Sequence, residues 1–144
     1  MPTFSAGDLE KLDTCDLRLQ LLAKDVVVYI PHKILEGHRG EIAQHQAFLD
    51  GKSQLDWPNG KHNKLPSTAM DVAPLYFDAG VHIDWNDRGA FGRLMGHYER
   101  AAYQRGIKIR LGMDWDMDWR TSGLDPNSKF LDMPHIEIID IIQK

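Results

Sequence analysis

The stretch "GKHNKLPSTAMDVAP", residues 60–74, places an aspartate inside what otherwise reads as a β-strand. Residues 69–73 have strand composition, and side chains alternate across a strand, so Asp71 shares a face with the small Ala69 and Ala73. A carboxylate inside a strand is costly unless it is paired, hydrogen-bonded or bound to a metal. The stretch therefore predicts a strand and a partner for Asp71, which is either a structural contact such as a salt bridge or an ion.

Two histidines are placed to share such an ion. His62 lies in the polar loop before the strand, and His135 follows Pro134 at the start of the last predicted strand. Two neutral imidazoles and one carboxylate form a three-ligand zinc site that leaves a fourth position for water, as catalytic zinc sites do. Sequence spacing leaves solvated surface histidines equally open, because five more are available: His32, His38, His45, His82 and His97.

Hydrophobic spacing and turn residues predict an α+β domain with a small antiparallel sheet and helices packed around it. We treat residues 1–144 as one domain. The long polar stretch 50–68 is the kind of connection that carries function. The predicted helices are 8–22, 41–49 and 87–106, with Asp8 and Asp87 as N-caps. The predicted strands are 25–30, 69–73, 107–111 and 135–142.

Composition limits the classes of partner. The 144 residues are 42% hydrophobic and 26% charged with a net charge of −4, which gives no basic field for nucleic acid. The one cysteine rules out an intrachain disulfide and a cysteine-based zinc cluster. We see no signal peptide and no apolar stretch long enough to span a membrane, so we expect the protein to stay in the cytoplasm where it is made. We also expect a monomer.

Three segments, taken in order, resemble one family of enzymes. They are "EGHRGEIAQHQAFLDGKS" (36–53), "SQLDWPNGKHNKLPSTAMDVAP" (53–74) and "DMPHIEI" (132–138). Together they resemble the D-alanyl-D-alanine metallopeptidases, which include the phage L-alanyl-D-glutamate endopeptidases that act as endolysins, and the short phage branch is the most similar. The resemblance runs from about Leu9 to Ile138 and implies a zinc site at the sheet of a fold shared with hedgehog proteins.

The resemblance also implies roles for individual residues. His62, Asp71 and His135 match the family's ligands for one zinc ion, Asp132 matches its general base and acid, and Arg39 matches its substrate-contacting arginine. The chain departs from the commonest family pattern in two respects. The spacing between the first histidine and the aspartate is longer, and an aspartate replaces the more usual glutamate at position 132.

Two of these matches keep a second interpretation. Arg39 either stabilises an oxyanion or clamps a substrate carboxylate, or it forms a surface salt bridge with Glu36 or Glu41. Ser67 precedes the strand at a place where the family has a small polar residue that contacts the peptide. A hydroxyl that stabilises a turn explains Ser67 as well.

Other polar and aromatic residues near the last strands also allow two interpretations. Glu137 either hydrogen-bonds to His135 or lies at a solvated edge. Trp115 and Trp119 either line a groove or pack inside. Three acidic residues alternate in "DWDMDW", which predicts a solvated loop and leaves weak Ca²⁺ modulation open. The segment lacks the glycine at position 6 and the distal glutamate of an EF-hand, which excludes that motif. These residues are Asp114, Asp116 and Asp118.

We therefore expect a zinc-dependent endopeptidase that cuts the stem peptide of bacterial peptidoglycan, at the L-Ala-D-Glu bond, as a bacteriophage endolysin. It would remain in the host cytoplasm until a separate holin-type pore releases it to the cell wall. Two alternatives stay open. One is a D,D-carboxypeptidase or dipeptidase that acts on D-Ala-D-Ala, and the other is a non-catalytic zinc-containing module that binds peptidoglycan.

Overall fold

The computed structural model describes residues 2–119 and 132–140. Over these ranges the chain is an α+β fold in which helices pack on one antiparallel sheet. None of the helices in these ranges combines the length and apolarity needed to cross a membrane. The helices are α1 (Ala6–Leu12), α2 (Leu17–Val27), α3 (Glu41–Leu49) and α4 (Arg88–Arg105). The strands are β1 (His32–Glu36), β2 (Ala69–Pro74), β3 (Ile109–Leu111) and β4 (His135–Ile138).

The sheet order is β1-β2-β4-β3, and every neighbouring pair is antiparallel. The strand predicted at 69–73 is confirmed as β2, an inner strand, and the one at 107–111 is shortened to β3. In the β2–β4 pair, Asp71 lies directly opposite His135. On the other side of β2 a register irregularity in β1 places Glu36 opposite Asp71. The sheet thus gathers polar residues around Asp71 from two neighbouring strands.

The helix predicted over 87–106 is confirmed as α4, the long helix that covers the sheet. Its N-cap is Asp87, whose side chain accepts a hydrogen bond from the amide of Ala90 at 3.0 Å. Gly106 ends the helix in the left-handed conformation at φ 68°, which glycine adopts without a steric penalty. One face of α4 packs on α2 and on the sheet, which forms the core. The buried residues of that face are Phe91, Leu94, Met95, Tyr98, Ala101 and Ala102.

The strand predicted at 25–30 is wrong, because this segment continues α2 to Val27. Its β-branched residues favour a strand locally, yet Val26 and Val27 extend the buried helical stripe that begins with Leu19 and Leu22. Burial of that stripe against α4 outweighs the local preference, since β propensity depends on packing. The strand in this region is β1, which follows Pro31 and which the sequence pattern did not predict.

The helix predicted at 8–22 is divided into α1 and α2 by a turn at 13–16. Asp16 caps α2 by accepting a hydrogen bond from the amide of Arg18 at 2.9 Å. The cap of α1 is Ser5 rather than Asp8, which lies in the first turn and completes a capping box with Ser5. Helix α3 is confirmed at its predicted bounds. Of the strand predicted over 135–142, the structure describes 135–140, and the remainder lies outside the described residues.

His32 is buried where β1 begins, with 1% of its surface exposed. Its Nδ1–H donates to the carbonyl of Ile30 at 2.9 Å, and its Nε2 accepts from the Tyr98 hydroxyl at 2.6 Å. Burial is the main cause that lowers the pKa of His32 to about 4, while the Ile30 bond and the charge of Asp8 act in the opposite direction. His97 adds to the lowering. The folded protein therefore holds this imidazole neutral.

This buried imidazole predicts acid sensitivity. An unfolded histidine gains its proton near pH 6.5, whereas folded His32 gains it only near pH 4. The unfolded state then binds more protons over this interval, so stability falls as the pH falls. Between pH 7 and pH 5 we expect the wild type to lose about 2 kcal/mol more free energy of unfolding than His32→Gln. Urea unfolding of both proteins at both pH values measures this, and parallel losses would contradict it.

Candidate active site

Three candidate metal ligands predicted from the sequence come together around Asp71 of β2. His62 arrives from the loop before the strand, and Asp71 and His135 are cross-strand neighbours on β2 and β4. Asp71 Oδ1 is 3.3 Å from His62 Nε2 and 3.3 Å from His135 Nδ1. Two ligand atoms bound to one tetrahedral zinc at 2.0–2.1 Å would be about 3.3 Å apart. The three side chains therefore have the spacing of a metal site.

Each histidine is oriented by a hydrogen bond from its other nitrogen. The Nδ1–H of His62 donates to the carbonyl of Gly37 at 2.9 Å, and the Nε2–H of His135 donates to Glu137 Oε1 at 2.9 Å. These bonds leave His62 Nε2 and His135 Nδ1 with a free lone pair toward Asp71, as metal ligation requires. Gly37 is needed there, because a Cβ would overlap the side chain of Thr14.

The oxygen at the centre of this trio is buried and lacks a hydrogen-bond donor among the described residues. Asp71 Oδ1 is one of two buried side-chain polar atoms in this condition. A buried acceptor without a partner is costly, so the site fits a cation at this position. Burial raises the pKa of Asp71, but the adjacent imidazoles of His135 and then His62, which donate to this carboxylate when they are protonated, outweigh burial and hold that pKa well below the usual range. Asp71 is therefore an ionised carboxylate, the form that binds a metal.

Asp132 lies beside the trio without joining its central contacts. Its Oδ2 is 3.8 Å from His135 Nδ1, and its carbonyl accepts from the amide of His135 at 3.1 Å in a tight turn before β4. The amide of Asp132 donates to the carbonyl of Gly112 at 2.9 Å, and this close approach excludes a Cβ at Gly112. Burial, followed by the negative charge of Asp71, raises the pKa of Asp132 to about 6. This carboxyl can thus exchange a proton near neutral pH.

Arg39 forms one of the two contacts weighed for it from the sequence, the salt bridge with Glu36, and the predicted contact with substrate stays a prediction. Its Nε donates to Glu36 Oε1 at 3.1 Å, while its Nη2 lies 3.8 Å from Asp71 Oδ2. Its backbone amide donates to the carbonyl of His62 at 2.8 Å, which ties the arginine to the loop that carries this ligand. The ion pair is therefore present, and the guanidinium still lies next to the candidate metal site.

Gln44 is a structural partner that the sequence did not reveal. It is fully buried on α3, and its Oε1 accepts from Arg39 Nη1 at 3.1 Å and from Asn63 Nδ2 at 3.0 Å. Its Nε2 donates to Ser53 Oγ at 3.0 Å. A single glutamine on a helix without a strong apolar stripe gives no signal of burial. Its hydrogen bonds nevertheless connect α3 to Arg39 and to the polar loop.

A cavity of about 740 Å³ opens onto these residues. Its wall includes the three candidate ligands, Arg39 and Asp132, so the structure brings together five of the six site residues proposed from the sequence. Arg110 and Trp115 form part of the same wall, whereas Trp119 does not and is 78% exposed. A cleft of this size accommodates a short peptide segment next to the candidate metal site.

Ser67 is the predicted site residue that the structure places elsewhere. It is fully buried, its hydroxyl donates to the carbonyl of Ala69 at 2.6 Å, and its backbone bonds to Thr14 and Asp16. A hydroxyl without exposed surface does not reach a substrate in the cavity. We therefore correct the predicted peptide contact and adopt the alternative, a turn that anchors the start of β2.

The alternating aspartates form an acidic turn after β3. Asp114 accepts hydrogen bonds from the amides of Asp118 at 3.1 Å and Trp119 at 3.0 Å. One oxygen from each of Asp114, Asp116 and Asp118 lies within 4.8 Å of the others. Carboxylate clusters are common in exposed turns, so Ca²⁺ modulation here stays a prediction.

Comparison with known proteins gives a consistent result. Residues 2–139 match the family model described as phage L-alanyl-D-glutamate peptidase. The L-alanyl-D-glutamate peptidase of Escherichia phage T5 is 32% identical over 115 residues, which cover 78% of this chain and 81% of that protein. The crystal structure of the Serratia marcescens L-Ala D-Glu endopeptidase ChiX aligns with a TM-score of 0.71 and 24% identity, over 94% of this chain and 89% of that one. At that identity the likeness concerns the fold.

Proposed function

The chain belongs to the family of phage L-alanyl-D-glutamate peptidases, and from this we infer that it hydrolyses the L-alanyl-D-glutamate bond in the stem peptide of bacterial peptidoglycan. We propose that it does so with one zinc ion held by His62, Asp71 and His135. The observation that carries this proposal is the buried Asp71 Oδ1 between two imidazole nitrogens, each at 3.3 Å. Two histidines and one carboxylate are a ligand set of catalytic zinc.

In this proposal zinc, when bound, lowers the pKa of a water molecule and polarises the scissile carbonyl. Asp132 accepts the proton of the attacking water as the carbon–oxygen bond forms. It then delivers that proton to the nitrogen of the D-glutamyl residue as the carbon–nitrogen bond breaks, which releases an amine. A pKa raised to about 6 suits a group that both takes and returns a proton near neutral pH.

Arg39 is our candidate for the group that stabilises the charge that develops on the carbonyl oxygen. Its guanidinium is held by Glu36 and Gln44 at 3.1 Å each, so its place in the cavity wall is fixed before substrate enters. Preorganised donors of this kind stabilise a transition state without reorganising during the reaction. We propose that Arg39 bonds to this oxygen or to a carboxylate of the stem peptide.

The family implies a biological setting, which we also propose for this chain. A phage peptidase that opens peptidoglycan lyses the host at the end of infection. We propose that the protein accumulates in the host cytoplasm and reaches the wall when a separate pore-forming protein opens the inner membrane. Lysis of permeabilised cells from outside would then require no other phage protein.

Digestion of purified muropeptides tests the reaction. We expect mass spectrometry to find a new carboxyl terminus at L-alanine and a new amino terminus at D-glutamate, with no new reducing sugar ends. Release of a terminal D-alanine would instead indicate a D,D-carboxypeptidase. Unchanged muropeptides, with zinc bound, would indicate a non-catalytic binding module. A digestion without enzyme provides the baseline for spontaneous hydrolysis.

A further inference from the structure

Glu137 is a charged residue buried beside the candidate metal site, with 3% of its surface exposed. It lies on β4 two positions after His135 and opposite Arg110 of β3. Its two carboxylate oxygens have different partners. Oε1 accepts from His135 Nε2 at 2.9 Å, and Oε2 accepts from Arg110 Nη2 at 2.8 Å and from Arg110 Nε at 3.3 Å.

The two candidate histidine ligands are therefore supported differently. His62 donates to a neutral backbone carbonyl, that of Gly37, whereas His135 donates to a carboxylate. A carboxylate behind an imidazole fixes the ring and its tautomer and makes the opposite nitrogen a stronger ligand. The same hydrogen bond also stabilises the buried carboxylate of Glu137. A test must therefore distinguish an effect on the stability of the fold from an effect on metal affinity.

Arg110 compensates the buried charge and is itself held in place. Its guanidinium lies over the ring of Trp115, 5.9 Å from the ring centroid, and the Trp115 ring lies 5.1 Å from that of His135. A buried carboxylate without a cation or hydrogen-bond donor would be costly. A series of hydrogen bonds through His135, Glu137 and Arg110 thus connects the candidate metal site to another part of the cavity wall.

We propose that Glu137 is a positioning residue that holds His135 in the orientation and tautomer required for zinc, and that Arg110 acts on the metal through Glu137. This inference rests on the proposed zinc site. It assigns to two residues outside the ligand set a share of the metal affinity. It also predicts that their effects are not independent, because both pass through one carboxylate.

The decisive substitution is Glu137→Gln, which keeps the size of the side chain and an oxygen that accepts from His135 but removes the charge. We expect the zinc dissociation constant, measured by competition with a chromophoric chelator, to rise by about 10- to 100-fold. Asp25→Asn is the matched control. It also replaces a carboxylate that pairs with an arginine, Arg105, but on the surface away from the cavity. Its zinc affinity should equal that of the wild type.

Arg110→Met tests the second half of the proposal and serves as an independent variant if Glu137→Gln folds poorly. It should also weaken zinc binding, and the double variant should bind zinc no more weakly than Glu137→Gln alone, because coupled residues are not additive. Wild-type zinc affinity in both single variants, with altered melting temperatures, would make the pair purely structural and overturn the inference. Fully additive losses would overturn the route through Glu137. Failure of the wild type to bind zinc would instead reject the proposed function.

Discussion

His62→Ala, Asp71→Ala and His135→Ala should each abolish both zinc binding and stem-peptide cleavage. Each substitution removes one of three side chains that converge on a single point, with Asp71 Oδ1 at 3.3 Å from both imidazoles. Loss of a hydrogen-bond partner behind a ligand already weakens metal binding about 10- to 100-fold, so loss of a ligand should cost more than roughly 100-fold. Metal analysis and muropeptide digestion on the same preparations measure both effects.

The control for this series is His45→Ala. His45 is an exposed histidine that pairs with Asp56 at 3.0 Å and does not line the cavity, so zinc content and rate should be unchanged. In the wild type a chelator should stop cleavage, and added zinc should restore it. A ligand variant that retained zinc and rate would remove that residue from the site. Circular dichroism of each variant shows whether the fold survives the loss of metal.

The second large effect is expected for Asp132→Asn. Asparagine has nearly the same shape but cannot accept the proton, so turnover should fall by roughly 10²- to 10⁴-fold, as is typical when general acid–base help is lost. Zinc content should be retained, because Asp132 Oδ2 is 3.8 Å from His135 Nδ1 and stands outside the three-residue cluster. Initial rates at saturating substrate, together with metal analysis, provide the measurement.

Asp132→Glu adds a test of reach. If only the length of the arm distinguishes this chain from relatives that have glutamate, part of the activity should return, with a shifted pH optimum. Asp13→Asn, at an exposed position outside the cavity, is the control for an aspartate-to-asparagine change. Wild-type turnover in Asp132→Asn would show that another group moves the proton, even if the zinc site is correct.

The sequence was most informative where local pattern and tertiary structure agree. Helix α4 has an aspartate cap, an apolar stripe and a terminal glycine, and each of these features acts in the structure as predicted. Asp71 stood out because a carboxylate in an apolar strand needs a partner, and the partners are the two histidines singled out with it. For a residue such as Asp71, the sequence alone shows that an unpaired side chain would be costly to bury.

The predictions failed where packing between distant segments decides the outcome. The segment at 25–30 has strand-forming residues, but burial against α4 keeps 25–27 helical. Gln44 and Arg110 have ordinary local surroundings in the sequence, and only the assembled sheet and the polar loop give them their hydrogen-bond partners. The resemblance predicted that Ser67 contacts the substrate, whereas its buried hydroxyl forms a hydrogen bond within the turn before β2.

The way in which His62 is anchored has a consequence for how this enzyme can change during evolution. His62 is bound to the segment after β1, through Arg39 and Gly37, and not located by its distance along the chain from Asp71. Asn63 and Ser67 are also held by hydrogen bonds to other segments. The three residues between them, Lys64, Leu65 and Pro66, form an exposed loop segment. Insertions and deletions confined to this loop segment can be inherited without moving His62. The longer spacing between His62 and Asp71 in this chain is therefore compatible with an unchanged site.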